Sequence, residues 1–200
     1  MSKYPNTLGR IEAVWNILGG EEGVDRLLRG ELVVCLPKVS DLLIWKTIRL
    51  GTGLKTADDF RTALKKADMK VSDWGNEILG NPTFTTSETE VELDLVILSV
   101  AHLGFKGGAA GQHIVAMALE QGLELCPAEV GPQLRLQYLD QPKDDAFLIA
   151  IEPISDSDGL LSIFSIERGD SGRLGLLVNN GNPSCFWSGS QKFVFVRPRK

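Results

Sequence analysis

Apolar positions recur at two different periods along this chain, and the change of period divides it. Ile11, Val14, Trp15 and Leu18 stand at i, i+3, i+4 and i+7, the stripe of an amphipathic helix, and Gly19-Gly20 stops it. "EEGVDRLLRG" opens on acids and closes on Arg29 and Gly30, which suits a short helix and its dipole. "ELVVCL" and "WKTIRL" are candidate strands that could pair. "TADDFRTALKKAD" predicts a helix capped by Thr56, with Asp59 three residues on as a capping box, and "VSDWGNEILG" predicts another capped by Ser72. Asn81 to Glu90, "NPTFTTSETE", clusters Pro, Thr, Ser and Glu as a linker between cores would. The expected organisation is a mostly helical N-terminal domain over 1–85 and a second domain over 90–200.

Beyond the linker the period shortens. "VELDLVILSVAHLGF" alternates at Val91, Leu93 and Leu95 before becoming continuously apolar, which fits a buried strand, with a helix as the alternative. "GGAAGQHIVAMALEQG" predicts a helix opened by glycines and ended at Gly122. "PQLRLQYL" alternates Leu134, Leu136 and Tyr138 and is expected to be a strand, followed by strands in "AFLIAIEPI", "LLSIFSIER" and "KFVFVR". The intervening "DQPKDD", "SDSDG" and "RGDSG" place Gly, Pro and Asp in turn positions. The second half is therefore α+β, with one or two helices and a mainly antiparallel sheet. Before its last strand the chain runs from Asn179 to Gln191 through small polar residues, with Phe186 and Trp187 inside them. That stretch reads as loop.

Composition narrows the function classes. Across 200 residues, 43% hydrophobic and 24% charged, the net charge of -5 argues against a general affinity for nucleic acid. No apolar run approaches the roughly 20 residues of a membrane span, and the N-terminus has no signal-like apolar region. Cys35, Cys126 and Cys185 are odd in number and widely spaced, which is neither a disulfide framework nor a zinc signature, so a reducing cytoplasm is expected. No cofactor or metal is expected. "SDSDG" and "RGDSG" read as turns rather than as a calcium loop or an adhesion motif. "GFKGGAAG" precedes a helix but lacks both phosphate-loop and dinucleotide spacing. Cys126 is expected to be buried, and no base or orienting acid accompanies Cys185, so an enzyme is not expected.

A family resemblance adds to this. "AMALEQGLELCPAEVGPQL" resembles a landmark of the C-type-lectin-like fold, most of all its sulfatase-modifying-factor branch, which formylglycine-generating enzymes share. Ala116, Ala118 and Gly122 stand in the family's helix, and Leu125, Pro127, Ala128 and Glu129 stand in its leucine-containing loop. Trp187 followed by "KFVFVR" is similar to the family's closing loop and strand, so the likeness covers roughly 90–200. Variable proteins of diversity-generating retroelements use this fold and diversify it near the C-terminus. The resemblance implies a non-enzymatic protein that binds an unidentified ligand, expected to be protein, through Leu177, Asn179, Asn180, Gly181, Ser184, Cys185, Phe186, Ser188, Ser190 and Gln191. Trp187 is expected to pack inward, and the small polar residues around it to stay exposed. A formylglycine-generating type of enzyme is the alternative, and a regulatory protein that binds a partner through its helical half is another.

Overall fold

The computed structural model describes residues 18–31, 42–169 and 171–199. The chain forms two compact units, Met1–Pro37 and Lys38–Lys200. In the first, helix α1 (Glu21–Leu28) has Glu21 and Glu22 in its first turn and Arg26 in its last, charges that complement its dipole. Gly30, at φ 72°, adopts the left-handed conformation that ends such a helix. The helix expected from Ile11 lies outside the described residues apart from Leu18, and so does the strand expected in "ELVVCL" beyond Glu31.

The second unit begins with β1 (Lys46–Leu50), α2 (Ala57–Lys66), β2 (Lys70–Val71), α3 (Asp73–Leu79) and β3 (Val91–Ser99). Next come β4 (Ala109–Ala110), α4 (Gly111–Glu120), α5 (Val130–Gln137), β5 (Ala146–Ile149) and β6 (Ile154–Ser155). It ends with β7 (Leu161–Arg168), β8 (Leu174–Asn180), β9 (Phe186–Trp187) and β10 (Lys192–Arg197). The capping boxes are as expected: Thr56 Oγ1 accepts from the Asp59 N–H, Asp59 answers at Thr56, and Ser72 caps α3 through the Gly75 N–H.

One curled sheet runs in the order β1-β3-β10-β5-β7-β8-β2, with β6 attached to β7. Its pairs are antiparallel except β10–β5 and β8–β2. The last strand is thus an interior one, with Phe193, Val194, Phe195 and Val196 all buried. Helix α5 packs against β1, β7, β8 and α2, so strands from both ends of the sheet order meet on one helix. Val130 to Arg135 are buried without a break. Gly131 lets the helix lie directly on Phe164, because a Cβ there would stand 2.6 Å from that ring.

The residues of α5 were expected to form a strand, and they form a helix. The Leu134, Leu136, Tyr138 alternation implies that the residues between them face water, but Gln133 and Arg135 are buried and bonded inside. The informative spacing is Glu129, Gln133, Gln137, four residues apart on one helical face. The Glu129 carboxyl accepts from the N–H groups of Gly51 (2.9 Å) and Ser87 (2.7 Å) and from Gln133 Nε2 (2.9 Å). Gln133 Nε2 also reaches Thr52 Oγ1 at 2.8 Å. Gln137 then pairs with both backbone groups of Arg49, accepting at 2.9 Å and donating at 2.7 Å. The outer edge of β1 is closed by side-chain amides where another strand would have served.

The linker expected at Asn81–Glu90 does not separate two cores. Phe84 stacks edge-on with Phe60 at 5.7 Å and with Phe164 at 6.2 Å, one ring from each side of the supposed boundary. Lys55 Nζ donates to the carbonyls of Ser87 and Glu88, and β1 and β2 sit in the same sheet as the later strands. Of the helices expected in an independent domain, α2 and α3 are therefore part of the sheet's own core, and the two units divide after Pro37. A polar composition hides these ties, since they are made by one aromatic and by backbone groups.

Arg199, next to the C-terminus, is tied to the start of β3. Arg199 forks onto Asp94 at 2.8 Å through both Nε and Nη2 and reaches Glu92 at 3.1 Å. The Arg199 hydrogen bond, followed by that of Thr47, holds the Asp94 carboxyl down at about 2. A carboxyl depressed on folding contributes stability that is complete above its unfolded value near 3.8 and is lost as pH falls towards 2. Asp94→Asn should therefore flatten the acid limb of the stability profile between about pH 4 and 2, measured by urea denaturation at each pH. For the polar stripe, Glu129→Ala strands three donors and should cost about 3 kcal/mol in the same assay. Glu129→Gln, which keeps one acceptor oxygen, should recover part of the loss.

Candidate functional site

Strands β8 and β10 leave the eleven residues 181–191 between them, and the geometry of that segment builds a cleft. Each turn in it is closed locally. Asn180 Oδ1 accepts from the Asn182 N–H (2.8 Å), and Asn182 Oδ1 accepts from both the N–H (2.9 Å) and the hydroxyl (2.7 Å) of Ser184. The Asn182 carbonyl takes the Cys185 N–H at 2.8 Å. The chain then pairs β9 with β4, Trp187 opposite Ala109 and Phe186 opposite Ala110.

These turns also cap α4, which has no side-chain cap of its own. The Gly111 and Gln112 N–H groups donate to the carbonyls of Cys185 and Pro183, each at 2.9 Å. The glycine-rich approach to α4 consequently serves close packing. A Cβ on Gly108 would stand 2.5 Å from the Trp187 carbonyl and 2.7 Å from the Phe186 ring.

Between α4, the segment 150–153 and this loop lies a cleft of about 330 Å3. Val115, Leu119, Leu125, Ile151, Ile163 and Phe193 give it apolar walls, and the half-buried indole of Trp187 closes one side. Trp187 meets Phe193 edge-on at 5.7 Å, so its inward packing is as expected. Gln112, Asn180, Asn182 and Glu152 supply the polar rim, and Glu152 is the only charged residue in the described lining. Gly181 sits at the base of the loop because a side chain there would press on Pro153 and Ser162 at 3.0 Å. The volume and the mixture of apolar wall with a few polar groups suit a small ligand or one large side chain.

The ten residues singled out from the sequence do not form one surface around this cleft. Asn180 and Gly181 line it, and Asn179 lies in an adjoining cavity while its Nδ2 donates to Ser165 Oγ at 2.8 Å. Leu177, Asn179 and Asn180 belong to β8 rather than to a loop. Ser184, Ser188 and Ser190 are exposed, with the two latter hydroxyls 3.0 Å apart, and Phe186 is 66% exposed. Cys185 and Gln191 are half-buried. The sequence reading missed Gln112, Glu152 and Asn182. The Asn-Pro after Asn180-Gly181 was a signal for Asn182 alone, because it marks a closed turn.

The cysteines differ in chemistry. Cys126 is buried, its thiol donates weakly to the Val194 carbonyl at 3.5 Å, and burial pushes its ionisation well up. Cys185 is a free, half-buried thiol, and Cys35 lies outside the described residues. His102 and His113 are engaged locally, with Ser99 and Gln112. Among the described residues no three His, Cys, Asp or Glu side chains group as metal ligands, and no helix is long and apolar enough to cross a membrane. No family model matches the chain, and neither a curated protein nor a solved structure matches it.

The loop's backbone and its side chains should respond differently to substitution. Gly189 is buried, and a Cβ on it would stand 2.2 Å from the Lys106 carbonyl oxygen. Gly189→Ala should cost about 1–3 kcal/mol in chemical denaturation. Ser190→Tyr, one residue away and exposed, should change stability by no more than about 0.5 kcal/mol.

Proposed function

We propose that this chain is a ligand-binding protein whose site is the cleft beside α4, and that it takes an apolar group of aromatic or branched aliphatic size. The observation that carries the reading is an open cleft of about 330 Å3 with apolar walls, an indole side and a rim of three amides and one carboxylate. Such a site gains free energy from displacing water and selects through a few hydrogen bonds at its mouth. The resemblance to C-type-lectin-like variable proteins supports the same segment, since Asn180 and Gly181 belong both to the expected surface and to the cleft. The exposed Ser184, Phe186, Ser188 and Ser190 form the outer part of that surface, where a protein ligand would extend the contact. We place the protein in a reducing cytoplasm, where its thiols persist unpaired.

The alternative of formylglycine-type catalysis needs two reactive thiols close together. Cys126 is unsuited to the role because burial raises its ionisation, so we read the protein as non-enzymatic.

Indole and n-hexanol are suitable probes, followed through the Trp187 side-chain signal of 15N-labelled protein. Both should perturb it in a saturable way. Ala116 is exposed on the wall formed by α4, so Ala116→Trp should fill the cleft and weaken both probes at least tenfold while the fold is retained. Undiminished binding in that variant would sink the assignment of the cleft.

A further inference from the structure

The cleft has a neighbour. A second cavity of about 290 Å3 opens beside it, and Asn180 and Asn182 line both. Trp74, Leu160, Leu161 and Val178 give the second cavity its apolar surface. Trp74, Leu160 and Leu161 remain 44%, 61% and 36% exposed, a concentration of large apolar side chains that marks an interaction surface.

The partition between the cavities has its own chemistry. The side-chain oxygens of Asn180 and Asn182 are engaged by the loop's turns, as described above, while neither Nδ2 donates to a protein group among the described residues. Two spare amide donors therefore stand between two apolar cavities. The charge at both is of one sign: Glu152 in the first and Asp156 in the second are the only charged residues in either described lining.

We propose that the two cavities are halves of one groove for an extended, basic peptide segment. One apolar side chain of the segment enters each cavity, its backbone carbonyls accept from Asn180 and Asn182, and a Lys or Arg lies beside Glu152 or Asp156. This deepens the function proposed above and rests on it, because the first cavity must be a ligand site. An extended chain turns residues i and i+2 to the same side, about 6.6 Å apart, so one segment can offer a side chain to each of two cavities that share Asn180 and Asn182 in their walls. A peptide also presents backbone carbonyls to the spare amide donors, which a plain hydrocarbon chain does not. The acidic mouths favour encounter with a cation and make binding sensitive to salt.

Trp74 and Trp187 report separately on the two cavities, so the test uses the full 15N-labelled chain and follows both indole signals. The probes are the capped peptides Lys-Leu-Ser-Leu-Lys, Lys-Leu-Ser-Ser-Lys and Glu-Leu-Ser-Leu-Glu, together with dodecylamine. The first peptide should perturb both indoles and bind at least tenfold tighter than the other two. Trp74→Ala should reduce its advantage over the single-Leu peptide to within twofold and leave that peptide's own affinity unchanged. Perturbation confined to Trp187, with equal affinity for one- and two-Leu peptides, would overturn the groove and keep the first cavity as a ligand site. Dodecylamine perturbing both indoles where no peptide does would replace the peptide with an aliphatic amine. Silence of both indoles towards every probe, indole and n-hexanol included, would overturn both readings.

Discussion

The structure of the second unit depends on burying a polar helix. Helix α5 sits where strands from the two ends of the sheet order converge, so Gln133 and Arg135, with Glu129 at its start, have no water to turn to. Each must find a partner in protein, or the fold carries the full desolvation penalty. Glu129 and Gln133 do so on one face, against the turn after β1, and the exposed Gln137 continues the row along the edge of β1 itself. Arg135 does so on another. Its guanidinium bonds to Gln141 Oε1 and to the carbonyls of Tyr138 and Glu167, leaving only Nε without a partner. Burial, with the nearby Arg168 adding repulsion, draws its ionisation down to about 10, which still leaves it charged at neutral pH. Gln141 is held in turn by donating to the carbonyls of Asp145 and Ile166. These bonds fix where β1, β7 and the turn at Ser87 lie around the helix, and so they set the curl.

The curl in turn places the cleft. With β10 between β3 and β5, the residues just before it bond back to the end of β3: Val100 to Gln191 and Ala101 to Gly189, each at 2.9 Å. The segment from Asn180 therefore starts on β8 and ends beside β3, crossing the N-terminus of α4 on its way. Its carbonyls supply the cap that Ala110 lacks, so helix and loop hold each other. The cleft is the space left under this crossing, and its walls come from elements whose positions α5 has already decided.

Much of the local structure was legible in the sequence because it is written in local chemistry. Thr56 with Asp59, Ser72, Gly30 and the aromatic alternation before Pro198 each specify a conformation within a few residues. The larger errors share a cause. Residues 133–138 alternate as a strand does, and only the polar positions, four apart from Glu129, reveal a helix whose polar face is buried. Asn81–Glu90 looks like a linker because a single aromatic, Phe84, carries its packing while its backbone carries the rest. The short pairs β2–β8 and β4–β9 depend on partners more than 70 residues away, which no local pattern records. The candidate site was partly legible for the same reason. Asn180 and Gly181 lie in a stretch with turn chemistry, whereas Glu152 and Gln112 reach the cleft only through the tertiary fold.

What remains is how a loop so fully bonded could serve as the binding surface proposed for it. Diversified or adaptable surfaces are often pictured as mobile, but mobility has to be given up on binding, and each ordered side chain or backbone segment lowers affinity. Here the backbone has already been ordered by Asn180, Asn182, the α4 cap and the β4–β9 pair. The side chains that point outwards, Ser184, Phe186, Ser188 and Ser190, take no part in the core. A ligand meeting this surface therefore loses little of its gain to ordering the protein. The same division lets sequence change at exposed positions without loosening the frame, provided Gly181 and Gly189 keep the close approaches that a side chain would block. A rigid main chain is thus compatible with substitution at these exposed side chains.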